Sequence, residues 1–168
     1  MNILLVAVNA KYIHSNPAVF SLKACAGEYS SYITIAEFTI NQQPSFILQE
    51  IYCHHPDVIA FSCYIWNRML IKQLIFDLRK ILPDTDIWAG GPEVSFHTAD
   101  LLKHWPLRGI LAGAGENTFA RLAAAYVQGT ASELPTVLSA DNTPVRTLDE
   151  IPFWQEDLSG FEHRIIYY

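Results

Sequence analysis

Two stretches of the sequence end in residues that suit contact with a small ligand. The apolar run 58–61 is followed by the hydroxyl residue Ser62, and the run 86–89 is followed by Gly90 and Gly91. Short apolar runs of this kind are typical of strands buried on both faces of a parallel sheet. Ligands of open α/β sheets bind beyond the carboxyl ends of the strands. The two strand ends therefore predict a ligand crevice, and the glycine pair would leave its backbone bare there.

A third glycine-rich stretch opens a predicted helix. Gly113, Gly115 and Glu116 follow the apolar run 109–112, and a helix amino terminus of this kind suits an anionic group. The alternative is that these glycines only form a tight strand-to-helix turn. Ser62 has a similar alternative, as a capping hydroxyl for the helix that follows it.

Aromatic and histidine side chains near the predicted crevice could add to binding. Tyr64 and Trp66 could stack on a flat ligand or cover the crevice floor. His14 could ligate a metal, including cobalt, or could be a solvated or capping loop residue. His54 and His55 end a predicted helix, where their placement favours the helix dipole. The sequence offers no nucleophile–base pair and no paired carboxylates at catalytic spacing, so it predicts a binding site.

The first predicted loop excludes several common cofactor folds. A dinucleotide fold would carry Gly-x-Gly-x-x-Gly after its first strand, whereas the loop 9–16 contains no glycine. A Walker phosphate loop is also absent from the sequence. A phosphoacceptor receiver domain would have acidic residues where Asn9 and Ser62 stand.

Composition narrows the class of protein. The chain has 168 residues, 51% hydrophobic and 17% charged, with a formal net charge of −6. This balance predicts a folded domain and argues against nucleic acid as the main partner. No apolar run approaches the roughly 18–20 residues of a membrane span, and the first residues lack a basic signal-peptide region. The three cysteines have no close spacing, so we expect reduced thiols in a cytoplasmic protein.

Alternation of strands and helices predicts an α/β fold. Five strand-and-helix pairs indicate a doubly wound, five-stranded parallel sheet with right-handed crossovers and the flavodoxin-like (Rossmann-like) order 2-1-3-4-5. This domain is expected over residues 1–130. Residues 131–168 are expected to be an extension, with a small hairpin at 135–147 and an acidic linker at 148–160. The apolar end, 164–168, suggests a chain cut from a longer protein. The predicted strands are 3–8, 32–40, 58–62, 86–89 and 109–112. The predicted helices are 17–29, 44–55, 65–82, 94–105 and one that follows a tight turn at 113–116 and ends near residue 128.

Four motifs resemble the N-terminal domain of cobalamin-binding radical SAM proteins. The ending, at 151–153 and 165–168, also resembles the linker that leads into their radical SAM barrel. The resemblance implies a flavodoxin-like domain that holds cobalamin with its nucleotide tail along the sheet. It also implies that Ser62, Gly90 and Gly91 line the pocket of that tail. The motifs are Asn-Ala-Lys-Tyr-Ile-His-Ser-Asn at 9–16, Phe-Ser-Cys-Tyr-Ile-Trp-Asn at 61–67, Gly-Gly-Pro-Glu-Val-Ser at 90–95 and Gly-Ala-Gly-Glu-Asn-Thr-Phe at 113–119.

The resemblance extends to a set of cofactor contacts but departs from the cobalamin mutases. Tyr64 stands where the mutases usually have leucine. Their Asp-x-His-x-x-Gly signature, which supplies a lower axial histidine, is missing, and Asn9 and Lys11 stand in its place. Cobalamin is therefore expected base-off, with the metal ligand unknown and substitution by His14 open. The expected cofactor contacts are Asn9, Ala10, Lys11, Tyr12, His14, Ser62, Cys63, Tyr64, Trp66, Gly90, Gly91, Pro92, Glu93, Gly113, Gly115 and Glu116.

The catalytic part of such an enzyme is not in this sequence. The Cys-x-x-x-Cys-x-x-Cys motif of radical SAM enzymes does not occur, and it would be expected beyond Tyr168. The 4Fe–4S cluster and S-adenosylmethionine would thus belong only to the full-length protein, whose radical chemistry could include methyl transfer through methylcobalamin. Two alternatives stay open. One is a related domain that has lost cobalamin binding and serves as a structural or interaction module, and the other is a flavodoxin-like binder of flavin or nucleotide.

Overall fold

An all-parallel sheet lies at the centre of the described chain. The structure, a computed structural model, describes residues 1–11, 14–139, 152, 161–162 and 164–165. The strands are β1 (Ile3–Asn9), β2 (Ile33–Thr39), β3 (Val58–Ser62), β4 (Asp86–Gly90), β5 (Gly109–Ala112) and β6 (Val137–Ser139). The α-helices are α1 (Pro17–Cys25), α2 (Pro44–Cys53), α3 (Arg68–Ile81), α4 (Pro92–Ser95), α5 (Thr98–His104) and α6 (Gly115–Gln128), with 3₁₀-helices at Gly27–Tyr32 and Ala131–Glu133.

The sheet has one strand more than the sequence predicted. Its order is β2-β1-β3-β4-β5-β6, so the predicted order of the first five strands is confirmed and the count of five is wrong. β6 pairs in parallel with β5, with Val137 opposite Ile110, where a hairpin was expected. Leu138 is buried against the α6 side of the sheet, so pairing covers the otherwise open edge of β5 and an apolar side chain together. The rest of the expected hairpin, 140–147, lies outside the described residues, and the division at residue 130 stays a prediction.

Both faces of the sheet are covered by helices. All seven residues of β1 are buried, as expected for a central strand of a parallel sheet. Leu4, Val6 and Val8 pack in a cluster with side chains of α2, α3 and α5. The alternate residues Leu5 and Ala7 pack in a second cluster with side chains of α1 and α6. The carboxyl ends of the strands, where the site is expected, thus project from a core that is packed on both faces.

Three predicted helices are shorter or divided. α1 ends at Cys25 and is followed by a 3₁₀-helix, and α3 begins only at Arg68. The helix predicted over 94–105 is two short helices, α4 and α5. Between them His97 has a left-handed backbone with φ +57°, which ends one helix and starts the next in a new direction. The described helices include none that has the length and apolar character needed to cross a bilayer.

Candidate functional site

A cavity of about 200 Å³ lies at the carboxyl ends of β3, β4 and β5, on the α1 and α6 side of the sheet. Its floor is apolar and its rim carries glycines, one hydroxyl and one carboxylate. The cavity brings together eight of the expected contacts from three separate loops. Those eight are Ser62, Tyr64, Gly90, Gly91, Pro92, Gly113, Gly115 and Glu116; the other lining residues are Leu5, Ala18, Leu22, Ala60, Phe61 and Leu111.

Gly91 lets two neighbouring loops touch through their backbones. Its φ is +106°, and a Cβ built there would lie 2.5 Å from the carbonyl oxygen of Cys63. The Cys63 amide in turn donates to the Gly90 carbonyl at 2.7 Å. At Gly90 the nearest neighbour of an added Cβ would be Leu111, with its Cβ at 3.3 Å and its carbonyl oxygen at 3.5 Å. Only glycine therefore fits at Gly91, and the wall of the cavity there is bare backbone.

Ser95 joins two of the loops that line the cavity. Its hydroxyl donates to the Gly91 carbonyl at 2.9 Å and accepts from the Gly113 amide at 3.1 Å. Gly113 has φ +79°, a conformation that other residues rarely adopt. The sequence reasoning missed Ser95, although its position four residues after Gly91, on the first turn after the glycine pair, was a usable signal.

A second cavity, of about 300 Å³, lies over the carboxyl end of β1. The aromatic rings of Tyr64 and Trp66 stack on each other at its edge, with centroids 4.6 Å apart and an interplanar angle of 4°. Tyr64 lines both cavities, so this residue forms the partition between them. The residues that line the second cavity are Asn9, Ala10, His14, Ser15, Asn16, Pro17, Tyr64 and Trp66.

Asn67 holds the loop that carries these aromatic residues. Its side chain is fully buried and donates from Nδ2 to the carbonyls of Val8 at 2.9 Å and Ser62 at 3.0 Å. Its Oδ1 accepts from the Tyr64 amide at 2.8 Å. The Trp66 indole also donates to the Val8 carbonyl, at 3.2 Å. Sequence reasoning gave Asn67 no role, because its partners come from two different strands.

The hydroxyl of Ser62 and the side chain of Asn16 connect the two cavities. Asn16 Nδ2 lies 3.3 Å from Ser62 Oγ, and Asn16 Oδ1 accepts from the Ala18 backbone amide at 3.1 Å, so Asn16 is the amino-terminal cap of α1. Ser62 does not directly precede a helix, since α3 begins at Arg68. Its hydroxyl is therefore free of a capping role in α3 and faces the cavity.

Glu37 near the end of β2 is a third residue, after Ser95 and Asn67, that sequence reasoning missed. Its carboxylate accepts hydrogen bonds from Asn9 Nδ2 at 3.0 Å, from Ser15 Oγ at 2.7 Å and from the Asn16 amide at 2.7 Å. A single acidic residue in the apolar pattern of a strand was the available signal, but the sequence did not indicate its partners.

Four expected contacts lie apart from both cavities or outside the described residues. Lys11 is exposed and lines neither cavity. Glu93 lines a third cavity, where its Oε2 lies 3.8 Å from Arg68 Nε. Tyr12 lies outside the described residues. Cys63 is buried in the core cluster on the α3 side of the sheet, so its backbone, not its thiol, shapes the site.

Burial decides the chemistry of the Cys63 thiol. Loss of solvent raises its pKa to about 12, and the charge of Glu93 acts in the same direction, against a smaller opposing effect of Arg68. A neutral thiol is a poor nucleophile and a poor metal ligand. Among the described residues, no group of three histidine, cysteine or acidic side chains could hold a metal ion.

We expect only Cys53 to react rapidly with a thiol reagent in the folded protein. Cys53 is exposed, whereas Cys25 and Cys63 are buried. Raising the pH from 7 to 9 should leave Cys63 unreactive, because its pKa of about 12 keeps the thiol neutral. Colorimetric titration should count one fast thiol in the native protein and three in denaturant. Rapid labelling of Cys53→Ser at pH 8 would contradict this assignment.

Comparison with known proteins agrees with this geometry. A family model described as "B12 binding domain" matches residues 3–123, a span that contains both cavities. The chain is also 36% identical over 73 residues to the cobalamin-dependent radical SAM methyltransferase TokK of Streptomyces tokunonensis. That match covers 41% of this chain and 10% of TokK. The family model spans most of the chain and includes every strand from β1 to β5, and this chain therefore belongs to the B12 binding domain family.

Proposed function

We propose that this chain binds cobalamin and serves as the cofactor-holding domain of a radical SAM enzyme. The observation that carries the proposal is the apolar cavity at the carboxyl ends of β3, β4 and β5, walled by the bare backbone of Gly90 and Gly91. Its position, within the span that matches the family, is where an open α/β sheet binds ligands. The likeness to TokK supports the radical SAM context.

The residues of the two cavities fit different parts of the cofactor. The apolar floor formed by Leu5, Leu22 and Leu111 suits a planar heterocycle, since burial of apolar surface drives such binding. Ser62 Oγ, the Gly91 backbone and the Glu116 carboxylate are polar groups at its rim. The second cavity, edged by the stacked Tyr64 and Trp66 rings, suits the flat corrin. When bound, cobalamin would supply the cobalt chemistry, and the protein would supply orientation and exclusion of water.

The corrin would be held base-off without a histidine from the mutase signature. Asn9 and Lys11 stand where that signature has aspartate and histidine. Asn9 donates its side-chain amide to the His14 carbonyl and to Glu37, so it is committed to holding the loop. The full-length protein would add the 4Fe–4S cluster and S-adenosylmethionine, with methyl transfer as the reaction class.

Titration with hydroxocobalamin and methylcobalamin tests the proposal. Visible absorption and calorimetry should show saturable binding of one cobalamin and a base-off spectrum at neutral pH. Ser62→Trp should abolish binding, because the indole would fill a cavity of about 200 Å³. Ser132→Trp is the matched control, since Ser132 is exposed in the 3₁₀-helix that precedes the amino end of β6 and does not line the cavity.

Two outcomes would overturn the proposal in different ways. Absence of binding at high micromolar cobalamin would favour a structural or interaction module of the same ancestry. Saturable binding of flavin mononucleotide in place of cobalamin, lost in Ser62→Trp, would assign the same cavity to a flavin.

A further inference from the structure

Glu37 is an acidic side chain enclosed by hydrogen-bond donors. The residue lies in β2 opposite Ala7 of β1, and its side chain is only 9% exposed. A carboxylate at this depth is costly unless its oxygens are paired. Each carboxylate oxygen can accept two hydrogen bonds, and Glu37 uses this capacity in full.

The four donors come from two distant parts of the chain. Oε1 of Glu37 accepts from Asn9 Nδ2 at 3.0 Å and from the backbone amide of Asn16 at 2.7 Å. Oε2 accepts from Ser15 Oγ at 2.7 Å and from Arg164 Nη1 at 2.6 Å. Three donors therefore belong to the segment 9–16 and the fourth to the segment near the chain end.

These donors form the wall of the second cavity, although Glu37 itself does not. Asn9, Ser15 and Asn16 all line that cavity, together with His14. Asn16 also reaches Ser62 at the rim of the first cavity. Glu37 thus holds three residues of the second cavity, one of which contacts Ser62 of the first, and lines neither cavity itself.

The chain end is held against the same loop by further contacts. The Ser15 amide donates to the Ile165 carbonyl at 3.3 Å, and His14 forms a parallel bridge with Ile165. Phe161 packs edge-on against Phe20 of α1, with ring centroids 4.8 Å apart. Residues 14–16 are thus connected to Arg164 through Glu37 and to Ile165 directly.

We propose that Glu37 is the positioning residue of the cobalamin site, holding Asn9, Ser15 and Asn16 in their binding positions and connecting them to Arg164. This inference rests on the proposed function for its ligand. Its effect would be exerted through Asn9, Ser15 and Asn16, in the way that outer groups orient the ligands of a metal centre.

Glu37→Gln tests the role with little change of shape. A glutamine has one acceptor oxygen and one donor NH₂, so in either orientation its NH₂ faces two of the four donors. We expect the affinity for hydroxocobalamin to fall by about tenfold or more, a loss typical of removing a contact that orients the binding residues. At saturation the visible circular dichroism of the bound corrin should change, because the loop that faces it is displaced. Glu28→Gln, on the exposed 3₁₀-helix 27–32, is the matched control and should bind as the unmodified chain does.

Amide exchange of Asn16 separates this inference from the proposed function. The Asn16 backbone amide donates to Glu37. The hydrogen exchange of this backbone amide should therefore be about tenfold faster in Glu37→Gln, the equivalent of losing one typical hydrogen bond. Exchange needs no cofactor, so it remains informative if the unmodified chain binds no cobalamin and the proposed function fails. Unchanged Asn16 exchange would overturn the positioning role in either case. Unchanged affinity and dichroism in a chain that binds cobalamin would overturn it as well.

Ser15→Ala provides the test if Glu37→Gln does not fold. It removes one of the four donors and leaves the carboxylate in place. Faster exchange of the Asn16 amide is expected, because Glu37 would be less firmly oriented. Asn16 exchange equal to that of the unmodified chain would again overturn the role.

Discussion

Replacing Gly91 with alanine should abolish cobalamin binding and lower the free energy of unfolding by about 3 kcal/mol or more. Two separate costs act at this position. The backbone has φ +106°, and the new Cβ would lie 2.5 Å from the Cys63 carbonyl oxygen and 3.1 Å from the Cys63 nitrogen. Both contacts are with backbone of the adjacent loop, so relief requires the strand ends of β3 and β4 to separate. That separation would open the wall of the first cavity.

Substitutions at two other glycines of the same cavity separate the cost of a close contact from the cost of a strained backbone conformation. Gly90→Ala adds a contact of 3.3 Å with the Leu111 side chain, and we expect a loss near 1 kcal/mol from modest overpacking. Gly113→Ala meets nothing within 4 Å but keeps φ +79°, and we expect about 1–2 kcal/mol from backbone strain. Urea denaturation followed by circular dichroism ranks the three variants. A loss for Gly91→Ala no larger than for Gly113→Ala would show that the Cys63 contact is not restrictive.

The strands and the first cavity were predictable because their signals are local. The run 58–61 and the glycine pair at 90–91 each carry a complete signal within a few residues. Parallel pairing then brings their ends together without further information. By contrast β6 has three residues, too few for a periodic pattern, and its pairing with β5 depends on an edge that exists only in the folded sheet.

The residues that organise the site escaped prediction for a related reason. Glu37 acts on Ser15 and Asn16, 22 and 21 positions away, and Asn67 acts on Val8, 59 positions away. A polar residue in a sequence reports its own chemistry but not the partner that folding brings to it. Contacts over such separations follow from the strand order and register, which are outcomes of folding.

Replacing Asn67 with alanine should lower the free energy of unfolding by about 3 kcal/mol and weaken cobalamin binding. The buried side chain makes three hydrogen bonds, to the Val8 carbonyl, the Ser62 carbonyl and the Tyr64 amide. Alanine leaves these groups with one partner fewer in a place that water does not reach. The loop that carries Tyr64 and Trp66 would lose its attachment to β1 and β3, so the partition between the cavities would loosen. Asn41→Ala, at an exposed position, should change stability by less than about 0.5 kcal/mol.

Asn67→Asp distinguishes the lost bonds from a general effect of altering the core. The carboxyl group keeps the acceptor for the Tyr64 amide but, when ionised, turns a second acceptor toward the Val8 and Ser62 carbonyls. Burial and these carbonyls both favour the protonated form, so the folded-state pKa of the new carboxyl should lie above its unfolded value. The free energy of unfolding should then be greatest at low pH, and it should fall as the pH rises from the unfolded-state pKa to the folded-state pKa of this carboxyl. Denaturation at pH 5 and pH 8 measures this difference after subtraction of the same difference for the unmodified chain. An equal loss of unfolding free energy at the two pH values would mean that the Asn67 side-chain NH₂ does not donate hydrogen bonds to the Val8 and Ser62 carbonyls.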